Sequence, residues 1–471
     1  MLIAAMIAAG CVVGIEAAPT DVVTKADLQV LIERIAKLEA ENQAQAKRIA
    51  ELEAADRKIE QRPSEVVPDE GTTTNETGRI WTTAKGFKYY LADKGAGIFE
   101  PLSESGLRVT PYGYLMFEGV YNTHGTDADY DADWVKSPDS RGYDNHTMIL
   151  TAQNSILGVQ LDTPESHLGW TFTGRAEFDL AGDHANDYIF HWRHLYMNAA
   201  HESGWSFLFG QTWHLWKMVT PSEIDGAWME NTGHPYRRTP QFRVTKKWAW
   251  EDSSLEVRAG IVKNGPGMGG DRDDDGVQDN SASAWPLVEG AVVYDHDAAW
   301  EEKGKRWLVG IAGQYGQDRI RNEIDDRKDD YESMMLMAAG KIPLGDFTLT
   351  GQFFAGENLG GIQAGIGQRV GFDPATGDGR EVRTIGGFID LSYQLTDDWS
   401  FAIGYGFDNP DDNDAKYAEG RTFNDRAYID AFYRITDNFK LGLEYGRLST
   451  KYYDVGTGYS DRIQFCVFYD F

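Results

Sequence analysis

An alternation of apolar and polar residues runs through sixteen segments of this chain and constrains its fold more than any other feature. In the last segment, one face consists of Ile463, Phe465, Val467, Tyr469 and Phe471. The residues between them are mostly polar, and the chain stops on an aromatic residue. Because successive side chains of a β-strand point to opposite faces, the alternation predicts strands with one apolar and one polar face.

The lengths of the connections between these segments indicate how the strands are arranged. The sixteen predicted strands cover residues 110–123, 145–163, 167–182, 187–201, 205–219, 240–250, 254–265, 285–297, 305–318, 329–342, 346–356, 381–395, 399–408, 424–435, 439–450 and 459–471. After even-numbered strands the connections are usually tight turns, such as 164–166 and 396–398. After odd-numbered strands they are often long and rich in Asp and Gly, such as 124–144 and 357–380. This sorting of turns and loops is typical of an antiparallel transmembrane β-barrel.

The composition is compatible with a barrel and excludes other classes. The 471 residues carry a net charge of −29 and a mean hydropathy of −0.47, and 13% of them are aromatic. No stretch approaches the roughly 20 apolar residues of a transmembrane helix, whereas barrel strands hide their apolar residues at alternate positions. Aromatic residues supply the interfacial girdles of a barrel. The acidic balance excludes nucleic acid as a partner, because phosphates demand basic patches.

Charges on the second face of the strands indicate a wet interior. In the third predicted strand, Arg175, Glu177 and Asp179 alternate with Ala176 and Phe178. Charges face lipid only at a high cost, so we expect them to line an aqueous lumen. A closed sheet of sixteen strands has no exposed edge and encloses a lumen wide enough to conduct. The predicted fold class is therefore all-β, a 16-stranded antiparallel transmembrane β-barrel.

The chain begins with a predicted signal peptide, residues 1–18, which is an apolar run of small residues. Cleavage is expected near Ala17 or Ala18, although no Lys or Arg precedes the run. Lipidation at Cys11 is the alternative. Cleavage leaves Cys466 as the only cysteine, so no disulfide can form within the mature chain.

A predicted α-helical coiled coil, residues 24–61, follows the signal peptide. Apolar residues recur there at alternating spacings of three and four over five heptads, with Glu, Lys and Arg around them. A single amphipathic helix lying on its own domain is the alternative. Residues 62–85 are predicted to be a polar linker that contains prolines, glycine and three consecutive threonines, and residues 86–471 form the barrel domain.

Four runs of residues resemble those of a known family. They are Leu150–Gly158, Gly174–Asp179, Phe209–Trp213 and Arg238–Thr245. In this order they resemble the DcaP-like outer-membrane porins, most densely over residues 110–250. The resemblance implies a homotrimer of sixteen-stranded barrels in the outer membrane of a Gram-negative-type cell, with the coiled coil in the periplasm. It also implies passage of small hydrophilic and anionic solutes, such as dicarboxylates and aromatic acids.

The second strand departs from the family pattern. The family tends to place arginines there, where this chain has Gln153 and Ile156. This departure weakens the expectation of anionic solutes. Acidic loops, such as 124–144, predict a surface that contacts outer-membrane lipid and lipopolysaccharide through divalent cations.

The third loop, residues 220–239, is expected to fold inward and constrict the pore, as the resemblance implies. We expect its acids to oppose arginines of the wall and to create a transverse field that discriminates between solutes. The predicted constriction consists of Arg175, Glu177, Asp179, Arg193, Glu223, Asp225, Arg237, Arg238, Arg243 and Arg258. The alternative is that the arginines are ordinary lumen charges that pair with Glu177 and Asp179.

A calcium site is predicted in the fourth loop. Its ligands are the side chains of Asp271, Asp273, Asp275 and Asp279 and the backbone carbonyl of Val277. The bidentate Glu that usually ends such a motif is missing, because Ala282 occupies that position. A merely solvated acidic loop is the alternative. No cofactor is otherwise required.

We therefore expect a diffusion channel for small hydrophilic solutes rather than an enzyme. A structural tether, which links the barrel to the cell wall through the coiled coil, is one alternative. A lipid-hydrolysing barrel with Ser155 as nucleophile and His146 nearby is another, but the sequence has neither G-x-S-x-G nor C-x-x-C. His191 and His194 lie three apart on a predicted strand, which places them on opposite faces and makes metal binding by the pair unfavourable.

Overall fold

The computed structural model describes strands 78–82, 88–92 and 99–102, and residues 107–471 with five gaps. The gaps are residues 164–166, 182–188, 265–284, 298–305 and 322–327. The predicted signal peptide, the coiled coil and the calcium-loop residues Asp271, Asp273, Asp275, Val277 and Asp279 lie outside the described residues.

A small antiparallel sheet precedes the barrel. Its strands are β1 (Gly78–Thr82), β2 (Lys88–Ala92) and β3 (Phe99–Leu102), in that order. The first of them falls within residues 62–85, for which the sequence predicts a linker. The first strand of the barrel begins at Arg108.

The remaining long strands form a closed antiparallel barrel. They are β4 (Arg108–Asn122), β5 (Thr147–Thr151), β6 (Ile156–Asp162), β7 (Trp170–Asp179), β8 (His191–His201), β9 (Trp205–Trp213), β10 (Arg238–Ala249), β11 (Ser253–Val262), β12 (Leu287–Asp297), β13 (Arg306–Arg321), β14 (Lys328–Leu344), β15 (Phe347–Glu357), β18 (Arg383–Gln394), β19 (Trp399–Pro410), β20 (Arg421–Arg434), β21 (Phe439–Tyr452) and β22 (Gly456–Asp470). Neighbours along the chain pair with one another, and β22 pairs with β4 to close the ring. Because β5 and β6 both pair with β4 as two halves of one strand, the barrel has sixteen strands, and the prediction of its architecture is confirmed.

The two faces of the wall differ as the alternation predicts. On the outer face, Ile389, Leu443 and Ile463 are more than half exposed. The inward-facing neighbours Asp390 and Glu444 are at most 1% exposed, because segments inside the barrel cover them. An apolar outer face and a polar inner face suit a barrel that is surrounded by lipid.

The second strand is interrupted where the sequence predicts continuous pairing over 145–163. Residues 152–155 form a turn, in which the Ser155 N–H donates to the Ala152 carbonyl at 3.1 Å. The Leu180 N–H donates to the Gln153 carbonyl at 3.0 Å, so the residue that follows β7 supports the turn. The interruption brings Asn154 to the lumen.

The third loop spans residues 214–237 and begins earlier than predicted, because β9 ends at Trp213 rather than near residue 219. Glu289 of β12 holds the beginning of the loop inside the barrel. Its carboxylate contacts His214 Nδ1 and accepts hydrogen bonds from the Leu215 N–H at 2.9 Å and from Trp216 Nε1 at 3.1 Å. Residues 214–219 therefore leave the wall, although their composition suits a strand.

The sixth loop, residues 358–382, also enters the barrel. It contains two 3₁₀ turns, Gly360–Ile362 and Gly365–Gly367, and the short hairpin of β16 (Val370–Phe372) and β17 (Gly379–Glu381). Its apolar side chains pack with those of the third loop and of the inner wall. This lumen core includes Trp216, Tyr236, Met335, Met337, Phe354, Leu359 and Ile362. One side of the lumen is thus filled by an apolar core.

Helices contribute little to the part of the chain that the structure describes. A single turn of α-helix, Asp412–Ala415, starts at Asp411, whose side chain accepts a hydrogen bond from the Asn413 N–H. None of the described helices has the length and apolar character that crossing a membrane requires.

Candidate pore constriction

A cavity of about 710 Å³ remains between the third loop and the wall on the side of β4 to β8. Tyr130 and Asp131 of the first loop (residues 123–146) close part of it. Its charged lining includes Asp131, Asp179, Arg193, Glu230, Arg237 and Arg238. Carboxyl and guanidinium groups thus face one cavity, and this charged lining can discriminate between solutes.

An ion-pair network on β7 and β8 contributes Asp179 and Arg193 to the wall of this cavity. Arg193 donates to Glu177 at 2.9 Å and to Asp179 at 2.7 Å, and Arg175 donates to Glu177 at 2.5 Å. These four predicted residues therefore neutralise one another, as the alternative interpretation expects of Arg175 and Arg193. These ion pairs fix the positions of the four side chains in the wall, and they leave little uncompensated charge for a solute.

A bulge places Arg193 in this network. The pairing of β7 with β8 shifts between Glu177 and Phe178, so that Arg193 is the extra residue on β8. As a consequence, His191 contacts Asp179 and His194 contacts Thr212, both on the inner side. The prediction that the two histidines lie on opposite faces is wrong, because it assumed a regular strand.

The predicted loop acids Glu223 and Asp225 bind arginines that the sequence analysis did not select. Arg426 of β20 lies 2.9 Å from Glu223 and 2.8 Å from Asp225, and Arg462 of β22 lies 3.1 Å from Asp225. The alternation does place both arginines on the inner face. It does not indicate which wall arginines the loop reaches, because this depends on the path of the loop across the lumen.

Arg238 is the least compensated cation of the cavity. Its guanidinium carbon lies 4.3 Å from the centre of the Trp213 ring, and its Nη1 has no hydrogen-bond partner among the described residues. Arg193 lies 5.8 Å from the centre of the Trp228 ring. Aromatic faces stabilise these cations without neutralising them.

Two carboxyl groups of the loops, Asp131 and Glu230, line the same cavity and ionise less readily than free carboxyl groups. Burial raises the pKa of Asp131 well above its usual value, and the nearby Asp225 carboxylate raises it further. Burial also raises the pKa of Glu230, while its hydrogen bond from Tyr236 acts in the opposite direction. The cavity is therefore less negative than a count of its charged residues indicates.

Arg243 and Arg258 have a different position. Arg243 donates to the Trp213 carbonyl at 2.5 Å, and Arg258 donates to the Leu215 carbonyl at 3.1 Å. Both arginines thus hold the start of the third loop, and neither is among the described residues that line the cavity.

Ser155 does not meet a base in this arrangement. Its hydroxyl accepts a hydrogen bond from the Met116 N–H at 3.0 Å and donates to the Met116 carbonyl at 3.3 Å. His146 instead contacts the Tyr121 hydroxyl at 3.3 Å. These contacts give Ser155 a structural role in the interrupted second strand.

Comparisons with known proteins bear on the fold. The sequence matches no protein-family model, and a search of curated proteins finds no match. Among solved structures, the chain is similar to the outer membrane channel DcaP of Acinetobacter baumannii, with a TM-score of 0.61 and 17% identity over 78% of this chain and 99% of that one. It is also similar to OmpF of Salmonella typhi, crystallised with daunomycin, with a TM-score of 0.51 and 13% identity over 78% of this chain and 98% of that one. The chain therefore has a DcaP-like porin fold.

Proposed function

We propose that the protein is an outer-membrane porin, a water-filled channel for small hydrophilic solutes that the third loop constricts. One observation carries the proposal. A closed sixteen-stranded barrel with an apolar outer face holds a charged cavity of about 710 Å³ between an inward loop and its wall. The similarity to the DcaP channel supports the fold on which this function rests. A cavity that is polar and lies beside the loop is suited to diffusion rather than to tight binding.

We further infer that the constriction favours small anions. Arg238 has no carboxylate partner among the described ion pairs, whereas the opposing carboxyls Asp131 and Glu230 have raised pKa values. The raised pKa values of Asp131 and Glu230 weaken the negative charge in the cavity that holds Arg238, which favours anions beside that guanidinium. The proposal assigns this preference to Arg238 rather than to Arg175 or Arg193, which are paired.

Conductance of the purified protein in a planar bilayer tests both statements. Under a salt gradient we expect steady conductance and a reversal potential with the sign of anion selectivity. The variant Arg238→Gln should lower the ratio of chloride to potassium permeability, whereas Arg447→Gln, on the outer face, should leave it unchanged. Absence of conductance would remove the channel, and reversal near zero would remove the selectivity.

The same proposal includes an assembly and a location. The protein is proposed to be a homotrimer in the outer membrane that contacts lipid and lipopolysaccharide there, with the coiled coil in the periplasm. Migration of the unheated protein in detergent gels, compared with the heated protein, tests the trimer. Deletion of residues 24–62 tests the tether: a channel should still conduct, whereas loss of envelope integrity would favour the alternative.

A further inference from the structure

Four carboxyl groups meet behind the tip of the third loop, on the side of the lumen formed by β20 and β21. Glu223 and Asp225 belong to the loop, Asp430 to β20 and Glu444 to β21. Oxygens of Glu223, Asp225 and Glu444 lie within 4.8 Å of one another. All four residues are at most 5% exposed. Buried carboxylates at this distance require a cation beside them or a proton between them.

The arginines supply only half of that charge. Arg426 pairs with Glu223 and Asp225, and Arg462 pairs with Asp225. In the described part of the chain, neither Asp430 nor Glu444 takes part in an ion pair. With all four carboxyls ionised, two positive groups leave two negative charges without compensation.

Asp430 provides an independent sign that a ligand belongs here. It is the direct cross-strand partner of Glu444, and the two carboxyl groups lie within hydrogen-bonding reach of each other. Neither oxygen of Asp430 receives a hydrogen bond from the described residues, and the same is true of Oε1 of Glu444. The other oxygen of Glu444 accepts hydrogen bonds from the backbone N–H groups of Ile224 at 2.8 Å and Asp225 at 3.2 Å. Three buried carboxylate oxygens thus lack a donor.

We propose that Asp430 and Glu444 bind one hard divalent cation, Ca²⁺ or Mg²⁺, with Asp225 or Glu223 at its edge. An all-oxygen ligand set selects such ions over softer metals. A divalent ion balances the two remaining charges, whereas one shared proton would leave a buried negative charge. Glu444 also accepts hydrogen bonds from the backbone of the third loop. By fixing the Glu444 side chain, the ion would therefore hold the tip of that loop against the wall.

This proposal deepens the proposed function, since it names an ion that holds the constricting loop in place. Its test is nevertheless independent of conduction. The folded protein in detergent is dialysed against a chelator, and binding of Ca²⁺ and of Mg²⁺ is then measured separately by calorimetry. The double variant Asp430→Asn/Glu444→Gln removes the site without introducing a new charge. A second variant, Asp271→Asn/Asp273→Asn/Asp275→Asn, removes the calcium site predicted in the fourth loop.

The double variant should bind one ion fewer than the wild type, whereas the fourth-loop variant should retain the ion at Asp430. Chelation should lower the thermal unfolding midpoint of the wild type and of the fourth-loop variant by more than it lowers that of the double variant. Crystals grown with Mn²⁺ should show anomalous density beside Asp430 and Glu444. Equal stoichiometry in the wild type and the double variant, or no anomalous density there, would overturn the proposal and leave a shared proton as the explanation.

Discussion

Arg426 shows how a single buried charge positions the constricting loop. It is 2% exposed and binds both Glu223 and Asp225. We expect Arg426→Met to leave the Glu223 carboxylate buried without a cation and Asp225 with Arg462 alone. The cost should be about 3–5 kcal/mol, because removing one partner of a buried ion pair exposes the desolvation penalty of the other. Amide hydrogen exchange of residues 220–230 should then become faster. This measurement reports the local opening of the loop directly.

Arg434→Met is the matched control for that substitution. Arg434 belongs to the same strand, but it is exposed and lies 4.0 Å from Asp398. An exposed pair contributes roughly 0–1 kcal/mol, so this variant should leave exchange in the third loop unchanged. Equal protection of the loop in both variants would contradict the role assigned to Arg426.

The sequence predicts the faces of single residues better than it predicts their partners. The period of two correctly places Arg175, Glu177 and Asp179 on the inner face, where the structure has them paired. Arg193 and His194 do not follow the period of two, because a bulge adds a residue to their strand. The partners of Glu223 could not be predicted, since contacts across a lumen depend on the tertiary path of a loop and not on local periodicity.

At the scale of elements, the third loop approaches the wall so closely that only glycine fits at one point. Gly233 has φ of 115°, and a Cβ atom there would lie 2.2 Å from the Gly387 carbonyl oxygen of β18. We expect Gly233→Ala to displace the loop from β18, because the added methyl group would meet a backbone oxygen of the strand that cannot move away. The open-channel conductance should change, and proteases should cleave the loop faster.

Gly290→Ala serves as the control for this displacement. The added methyl group would meet only the Arg258 carbonyl oxygen at 3.7 Å, which is an ordinary contact. Conductance and protease resistance of this variant should match those of the wild type. If Gly233→Ala behaved in the same way, the close approach of the loop to β18 would have no functional consequence.

The contact between the first and third loops is expected to depend on pH. Burial raises the pKa of Asp127 to about 6, and burial together with the neighbouring Glu230 raises that of Asp133 well above its usual value. A carboxyl group with a raised pKa in the folded state favours that state when protonated. Its stabilisation is therefore present below the unfolded value of about 4 and is lost as the pH rises through the folded value. Between pH 4 and 7 we expect hydrogen exchange in residues 127–134 to become faster.

The variant Asp133→Asn/Glu230→Gln separates this effect from the general pH dependence of exchange. Without the two ionisable groups, the protection of residues 127–134, corrected for the intrinsic exchange rate, should change less with pH than in the wild type. The same pH dependence in both proteins would show that these carboxyls do not control the contact.

The predicted and observed ends of the strands show where the alternation alone predicts a strand correctly and where it does not. Most predicted ends lie within a few residues of the observed ones, because pairing in a closed barrel requires regular alternation. The predicted strand 205–219 is too long, since Trp216 and Met218 are apolar residues that pack in the lumen core rather than against lipid. The contacts of Glu289 with His214 and Leu215 show that the chain has left the wall there.

At the scale of the whole molecule, the lumen is divided into a filled side and an open side. The third and sixth loops bury apolar inner-wall residues such as Met335, which is 2% exposed, whereas Asn154 lines the cavity on the other side. Solutes should therefore pass on the side of Asn154 alone. The width of a sixteen-stranded barrel overstates the area available for diffusion, because part of the wall faces packed side chains.

Cysteine modification from the aqueous phase tests this division. Cys466 is fully buried, so its background reaction with a small charged methanethiosulfonate should be low. Under this reagent, we expect Asn154→Cys to be modified and the conductance of that variant to fall, because the added sulfonate occupies the cavity. Met335→Cys should remain unmodified and keep its conductance, since the lumen core excludes water from that position. Rapid modification of both cysteines would show that solutes also reach the side of the lumen that the sixth loop occupies. The inference that solutes pass only on the side of Asn154 would then be wrong.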